Sequence, residues 1–171
     1  LELRSVAVLS APHPLGIQPI VGRAPWAGGR VLRGRLALPT GRERSLHKGS
    51  LVTTMYRAWA SPASVEALVS QSGPYRAALR RPFAAHTALR GFTSARRLSR
   101  SVKRTLSEPL RVPVLSLVGH DDGAWSSLDH AADAQFVDAP LTQIVIREAG
   151  HFLPEEAPKD VAEALARHIG A

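Results

Sequence analysis

The stretch that most limits what this chain can fold into is Leu110 to Asp122, LRVPVLSLVGHDD, together with an echo about thirty residues on, Gln143 to Glu156, QIVIREAGHFLPEE. In the first, Val112, Val114, Leu115, Leu117 and Val118 make a near-continuous aliphatic run around Pro113, which suits a strand buried on both faces of a parallel sheet. Strands of this kind carry function at their carboxyl ends. The first run ends Gly119-His120-Asp121-Asp122, and the second, Ile144-Val145-Ile146, ends Glu148-Ala149-Gly150-His151. An acid at one strand end and a histidine at the next is the equipment of a nucleophilic hydrolase. There the histidine takes the proton of a nucleophile or a water, and the carboxylate fixes its tautomer and orientation.

VPVLSLVGHDD followed by REAGHFLPEEAPKDVAEAL resembles the last two strands of an α/β-hydrolase, with the triad acid after the penultimate strand and the triad histidine after the last. The resemblance implies catalytic roles for Asp122, chosen by the Gly-x-x-Asp turn with Asp121 as the fallback acid, and for His151, which follows a glycine and precedes Phe152 and Glu155-Glu156. LRSVAVLSAPHP is similar to the strand that leaves the core in the epoxide hydrolase and haloalkane dehalogenase type, and LALPTGRERSL and GPYRAAL resemble parts of the cap of epoxide hydrolase-like proteins. A tyrosine expected just after the last of these is absent, since Arg80, Arg81, Pro82 and Phe83 follow, which puts an epoxide substrate in doubt and leaves Tyr56 and Tyr75 as the candidate donors. The implied class is α/β: a partial α/β-hydrolase parallel sheet, its last three strands, with an inserted, mainly helical cap. The implied division is residues 1–14 as exit strand, 15–109 as cap and 110–171 as C-terminal core. No metal or organic cofactor is implied.

At 171 residues, 44% hydrophobic and 21% charged, the chain can bury one core. It has no cysteine, which excludes disulfides and thiolate metal sites. No apolar run reaches the length of a membrane span and no secretory pattern opens the chain, so the cytoplasm is the default location. The net charge of +8 is unevenly spread: up to Leu110 there are 18 basic and 4 acidic residues, and from Arg111 on 4 basic and 10 acidic. The arginines are scattered and no helix-turn-helix, finger or aromatic-interleaved sheet organises them, which argues against nucleic acid and for a solvated or partner-facing surface.

Leu51, Met55 and Trp59 recur at four-residue spacing and predict a helix over residues 51–60, ended by Ser61-Pro62. Residues 64–69 predict another, with Ser61 or Ser64 as N-cap. Residues 15–50, including Gly28-Gly29, read as a flexible connector, and residues 87–104, rich in arginine and serine, as a solvated face or mobile connector. Ser126 or Ser127 would cap a helix through Leu128, Ala131, Ala132 and Phe136, carrying His130 on its surface; His13 reads as a loop histidine with no partner nearby in sequence. The last helix is expected over residues 155–169, with Val161, Ala164, Leu165 and Ile169 apolar.

The resemblance also demands a nucleophile on a sharp strand-to-helix turn and backbone donors for the developing oxyanion, both upstream of the exit strand. The sequence holds no Gly-x-Ser-x-Gly turn. The expectation is therefore a C-terminal fragment, or one subunit beside a complete hydrolase, inactive by itself, with exposed sheet edges at the exit strand and at the strand Val112 to Val118. Its partners would be a small-molecule substrate and the missing N-terminal half or another protein. The alternative is a catalytically inactive interaction module with a basic partner-binding surface.

Overall fold

A computed structural model describes residues 2–16, 42–94, 98–125 and 130–170. Three strands form one parallel sheet in the order β1 (Val6–Leu9), β2 (Val114–Gly119), β3 (Leu141–Ile146). Val114 lies opposite Val6 on one side and Leu141 on the other, so β2 is hydrogen-bonded along both edges. Every residue of β2 is buried and Leu117 is 0% exposed, as its unbroken apolar run requires. This corrects the expected sheet edge: β2 is the central strand of the described sheet, and the outer strands are β1 and β3.

Between β1 and β2 the described residues include the helices α1 (Arg42–His47), α2 (Ser50–Trp59), α3 (Val65–Ser70), α4 (Gly73–Leu79), α5 (Ala84–Ser94) and α6 (Arg100–Ser107). Helix α2 buries Leu51, Val52, Tyr56 and Trp59, which pack with Leu46, Leu68 and Leu89 into a core of their own. Helix α1 thus forms where a connector was expected, because Leu46 supplies an apolar anchor. The reading of Gly28-Gly29 lies outside the described residues. The described part of the stretch expected as a solvated face or mobile connector is helical: Ala85 and Leu89 bury one face of α5, whereas α6 has no buried residue and is a solvated face, capped by Ser99, whose Oγ accepts the Val102 N–H at 3.3 Å. Neither predicted serine caps α3 through its side chain; the Ser61 carbonyl accepts the N–H groups of Ser64 and Val65 instead.

After β2, His130 and Ala131 are α-helical and Ala132–Phe136 continue as a 3-10 turn, so the described part of the helix predicted through Phe136 is helical and tightens toward its end; Ser126 and Ser127 lie outside the described residues. Beyond β3 the single predicted helix is two, α7 (Leu153–Glu156) and α8 (Pro158–Ile169). Val161 and Ala164 of α8 pack with Leu115, Leu117, Ile146 and Leu153 in a second core beneath the sheet. Ile169 was expected to share this face but is 74% exposed, since it is the last residue of α8. Among the described residues no helix is long and apolar enough to cross a membrane.

The centre of that second core is Leu117. Replacing it with alanine is expected to cost about 2–5 kcal/mol, the lost transfer of three carbons plus a cavity that the sheet cannot collapse. Urea unfolding measures this, and a cost below about 1 kcal/mol would contradict a β2 covered on both faces.

Candidate active site

Two turns leave the sheet at the carboxyl ends of neighbouring strands. The β2 turn carries Asp122, and the β3 turn, which passes through Glu148 at φ 56°, carries His151. The structure brings the two together: His151 Nδ1 lies 3.0 Å from Asp122 Oδ2. The other carboxylate oxygen, Oδ1, accepts the N–H of Ala124 at 2.7 Å and of Trp125 at 3.0 Å. The Asp122 side chain is fully buried and that of His151 is 21% exposed. A carboxylate accepts only, so its contact with Nδ1 selects the tautomer that places the proton there and leaves the Nε2 lone pair free.

Asp121 does not compete for the histidine. Its Oδ1 pairs with His120 Nδ1 at 2.8 Å near the surface, and its backbone N–H goes to the Ala149 carbonyl.

The end of α2 closes the site. The Trp59 indole meets the His151 ring edge-on at 5.1 Å between centroids, and Phe152 meets it at 5.3 Å. The Trp59 carbonyl accepts two backbone N–H groups, from His151 at 2.9 Å and from Gly123 at 3.3 Å, so one oxygen holds both turns. Trp59 Nε1 and Ser61 Oγ are buried without a protein hydrogen-bond partner among the described residues. Buried polar groups of this kind are rare and are commonly satisfied by a ligand or an ordered water.

Glycines make this meeting of backbones feasible. A Cβ on Gly119 would fall within 3.0 Å of the carbonyl oxygens of Ala149 and Gly150; one on Gly150 would strike Ser61 N and the backbone of Trp59 and Ala60. The glycine before the histidine is therefore a steric requirement of the α2 contact. Gly150→Ala is expected to cost about 1–3 kcal/mol, because every atom in the way belongs to a backbone fixed by its own hydrogen bonds. Denaturant titration measures it, and a cost under about 0.5 kcal/mol would contradict the contact.

The tyrosines also sit here. Tyr56 of α2 packs edge-on against Phe152 at 4.7 Å, and its phenol is pushed up to about 12 by burial first, then by Tyr75 and Glu155. It therefore stays a neutral O–H donor at neutral pH. Tyr75 donates to Glu155 Oε1, and that bond is the main cause of its raised pKa.

Two other histidines lie away from this pair. His130, expected at the surface, is 1% exposed, with Nδ1 3.4 Å from Ser116 Oγ and 3.7 Å from Asp133 Oδ2. His13 lies in a loop as expected, and its partners are distant in sequence: it stacks on Phe136 at 3.8 Å, and its backbone N–H donates to Asp133 Oδ1 at 2.7 Å. Burial lowers the His13 pKa and Asp133 partly opposes it. Both belong to a buried polar cluster apart from the Asp122–His151 pair.

Among the described residues no group of three or more histidine, aspartate or glutamate side chains is arranged to hold a metal ion. An open hollow of about 590 Å³ lined by Glu43, His47, Arg81 and His86 lies in the helical segment, and neither Asp122 nor His151 lines it.

No family model matches the chain, and no curated protein resembles it in sequence. Solved structures do resemble it. An α/β-hydrolase enzyme from a Medee basin deep-sea metagenome library aligns over 98% of this chain with a TM-score of 0.67 at 11% identity. A thermophilic esterase from Thermogutta terrifontis aligns over 97% with a TM-score of 0.62 at 18% identity. The Cif epoxide hydrolase from Acinetobacter nosocomialis aligns over 98% with a TM-score of 0.59 at 16% identity. The match takes up 56%, 55% and 54% of those three chains, so this chain spans little more than half the length of the proteins it resembles.

Proposed function

Starting from the α/β-hydrolase fold that the chain shares with these structures, of which it holds the three-stranded parallel sheet, we propose that it supplies the acid and the histidine of a hydrolase acting on a small-molecule ester, epoxide or alkyl halide. The observation that carries the reading is the 3.0 Å contact between His151 Nδ1 and a fully buried Asp122, each at the carboxyl end of neighbouring parallel strands. Fold alone fixes no chemistry, but a solvent-reaching imidazole oriented by a buried carboxylate is suited to moving protons.

In this mechanism His151 Nε2 accepts the proton of the attacking group, a serine hydroxyl or the water that hydrolyses an aspartyl ester, and returns it to the leaving group. Asp122 holds the Nδ1 proton and stabilises the imidazolium that forms. Among the described residues the His151 ring contacts Asp122, Trp59 and Phe152, and none of these is a nucleophile facing Nε2. In this reading the nucleophile and the oxyanion donors are supplied by chain outside these 171 residues. Residues 15–109 then form a cap, and α2 is the part of it that closes over the histidine.

The test is hydrolysis of p-nitrophenyl acetate, styrene oxide and 1-chlorobutane, assayed with the 171 residues alone and with the protein expressed in its native coding frame. Turnover of at least one substrate class by the second preparation and none by the first is expected. Good turnover by the 171 residues alone would overturn the assignment of the nucleophile, and none by either would overturn the hydrolase reading.

A further inference from the structure

We infer that Glu156 is the positioning residue of this site, holding His151 in register with Asp122 and tying that register to the end of α2. The inference rests on His151 being the catalytic base. Glu156 Oε2 accepts the N–H of Gly150 at 2.9 Å and of Ser61 at 2.8 Å, while Oε1 accepts the N–H of Phe152 at 2.9 Å. The amides on both sides of His151 thus end in one carboxylate, and the amide of His151 itself ends on the Trp59 carbonyl. Three consecutive N–H groups find their partners in a side chain and in a distant helix end.

The chemistry suits a carboxylate and no neutral side chain equally well. Three donors converge from two directions, and a carboxylate is an acceptor at both oxygens, with roughly four lone-pair sites and charge-assisted bonds about twice as strong as neutral ones. The arrangement also closes on itself, since the Glu156 N–H donates to the Phe152 carbonyl at 2.9 Å while Phe152 N–H donates to the Glu156 side chain. This reciprocal pair fixes α7 against the histidine turn. The neighbouring acid does something else: Glu155 faces the other way and receives the Tyr75 hydroxyl.

Ser61 is the link to α2. It lies 95 residues from Glu156 in sequence and two after Trp59, whose carbonyl already holds the Asp122 and His151 turns. Any displacement of α2 is therefore felt on both sides of the His151 ring.

The test uses the protein in its native coding frame with Glu156→Ala, Glu156→Gln and, as control, Glu155→Gln. A misplacement of about 1 Å at a catalytic group costs on the order of a hundredfold, so Glu156→Ala is expected to lower kcat by about that factor with KM within about twofold. Glutamine keeps one acceptor oxygen but sets an NH2 donor against a backbone N–H, so Glu156→Gln is expected to fall between, at about a tenfold loss. Glu155→Gln is expected to stay within about twofold of wild type. A structural role alone would not move the imidazole of folded molecules, so the His151 Nδ1–H resonance is followed by NMR on histidine-labelled protein. It is expected to shift or broaden in both Glu156 variants. Wild-type kcat per folded molecule with an unmoved resonance would overturn the inference, and Glu156→Gln alone decides it where the alanine variant does not fold. Loss of turnover in His151→Ala beside full turnover in the Glu156 variants sinks only this inference; full turnover in His151→Ala sinks the reading beneath it.

Discussion

Replacing His151 with alanine is expected to lower kcat/KM of the proposed hydrolase by roughly ten-thousandfold to a millionfold, the range seen when the base of a nucleophilic triad is removed. The magnitude follows from the position of the ring. Nδ1 is committed to Asp122, the backbone N–H is committed to Trp59, and the ring is set between Trp59 and Phe152, so Nε2 is the ring atom left free to carry a proton. The fold should survive, because Asp122 keeps its bonds from Ala124 and Trp125 and His151 is no part of either core. Steady-state kinetics beside a circular dichroism spectrum measures both. Loss of less than about tenfold in a folded variant would mean that another group serves as base.

Asp122→Asn is expected to cost about ten-thousandfold in kcat while leaving the backbone in place. The physical reason is local. Oδ1 accepts two backbone N–H groups, which orients an asparagine with its carbonyl toward Ala124 and Trp125 and its NH2 toward His151. That NH2 is a donor, so the imidazole must present Nδ1 as the acceptor and carry its proton on Nε2, the wrong tautomer for a base. A variant within about tenfold of wild type would show that the carboxylate does not set the tautomer.

The pair itself was legible because each member ends an apolar strand of unambiguous pattern. Parallel neighbours deliver their carboxyl-terminal turns to one place, and Asp122 and His151 needed no further signal. Choosing Asp122 over Asp121 rested on a turn pattern, and the structure gives its cause: the Gly119 turn directs Asp122 inward, while Asp121 pairs with His120. What surrounds the pair left no local trace. In the sequence Trp59 is only one of three residues at four-residue helical spacing, yet its carbonyl anchors both turns. Glu156 read as one of two acids after the histidine, and only tertiary contact with Ser61 separates its role from that of Glu155.

The same limit explains the misreading of His130 and the appearance of α5. His130 lies in a polar stretch, but Ser116 on β2 and Asp133 below it make a buried polar pocket for its ring. Residues 87–104 are dominated by arginine and serine, and α5 forms because Ala85 and Leu89 find a core supplied by α1 and α2. Short helices of this kind depend on packing more than on propensity.

The measurement that bears most directly on the Asp122–His151 pair is a double-mutant cycle on kcat. If Asp122 acts only by orienting the His151 ring, the double variant Asp122→Asn with His151→Ala is no slower than His151→Ala alone, and the loss from Asp122→Asn vanishes in that background. Two losses that multiply would show that the carboxylate works independently of the imidazole. Two losses that are both absent would contradict the hydrolase outright, and the chain would then be better read as an interaction module.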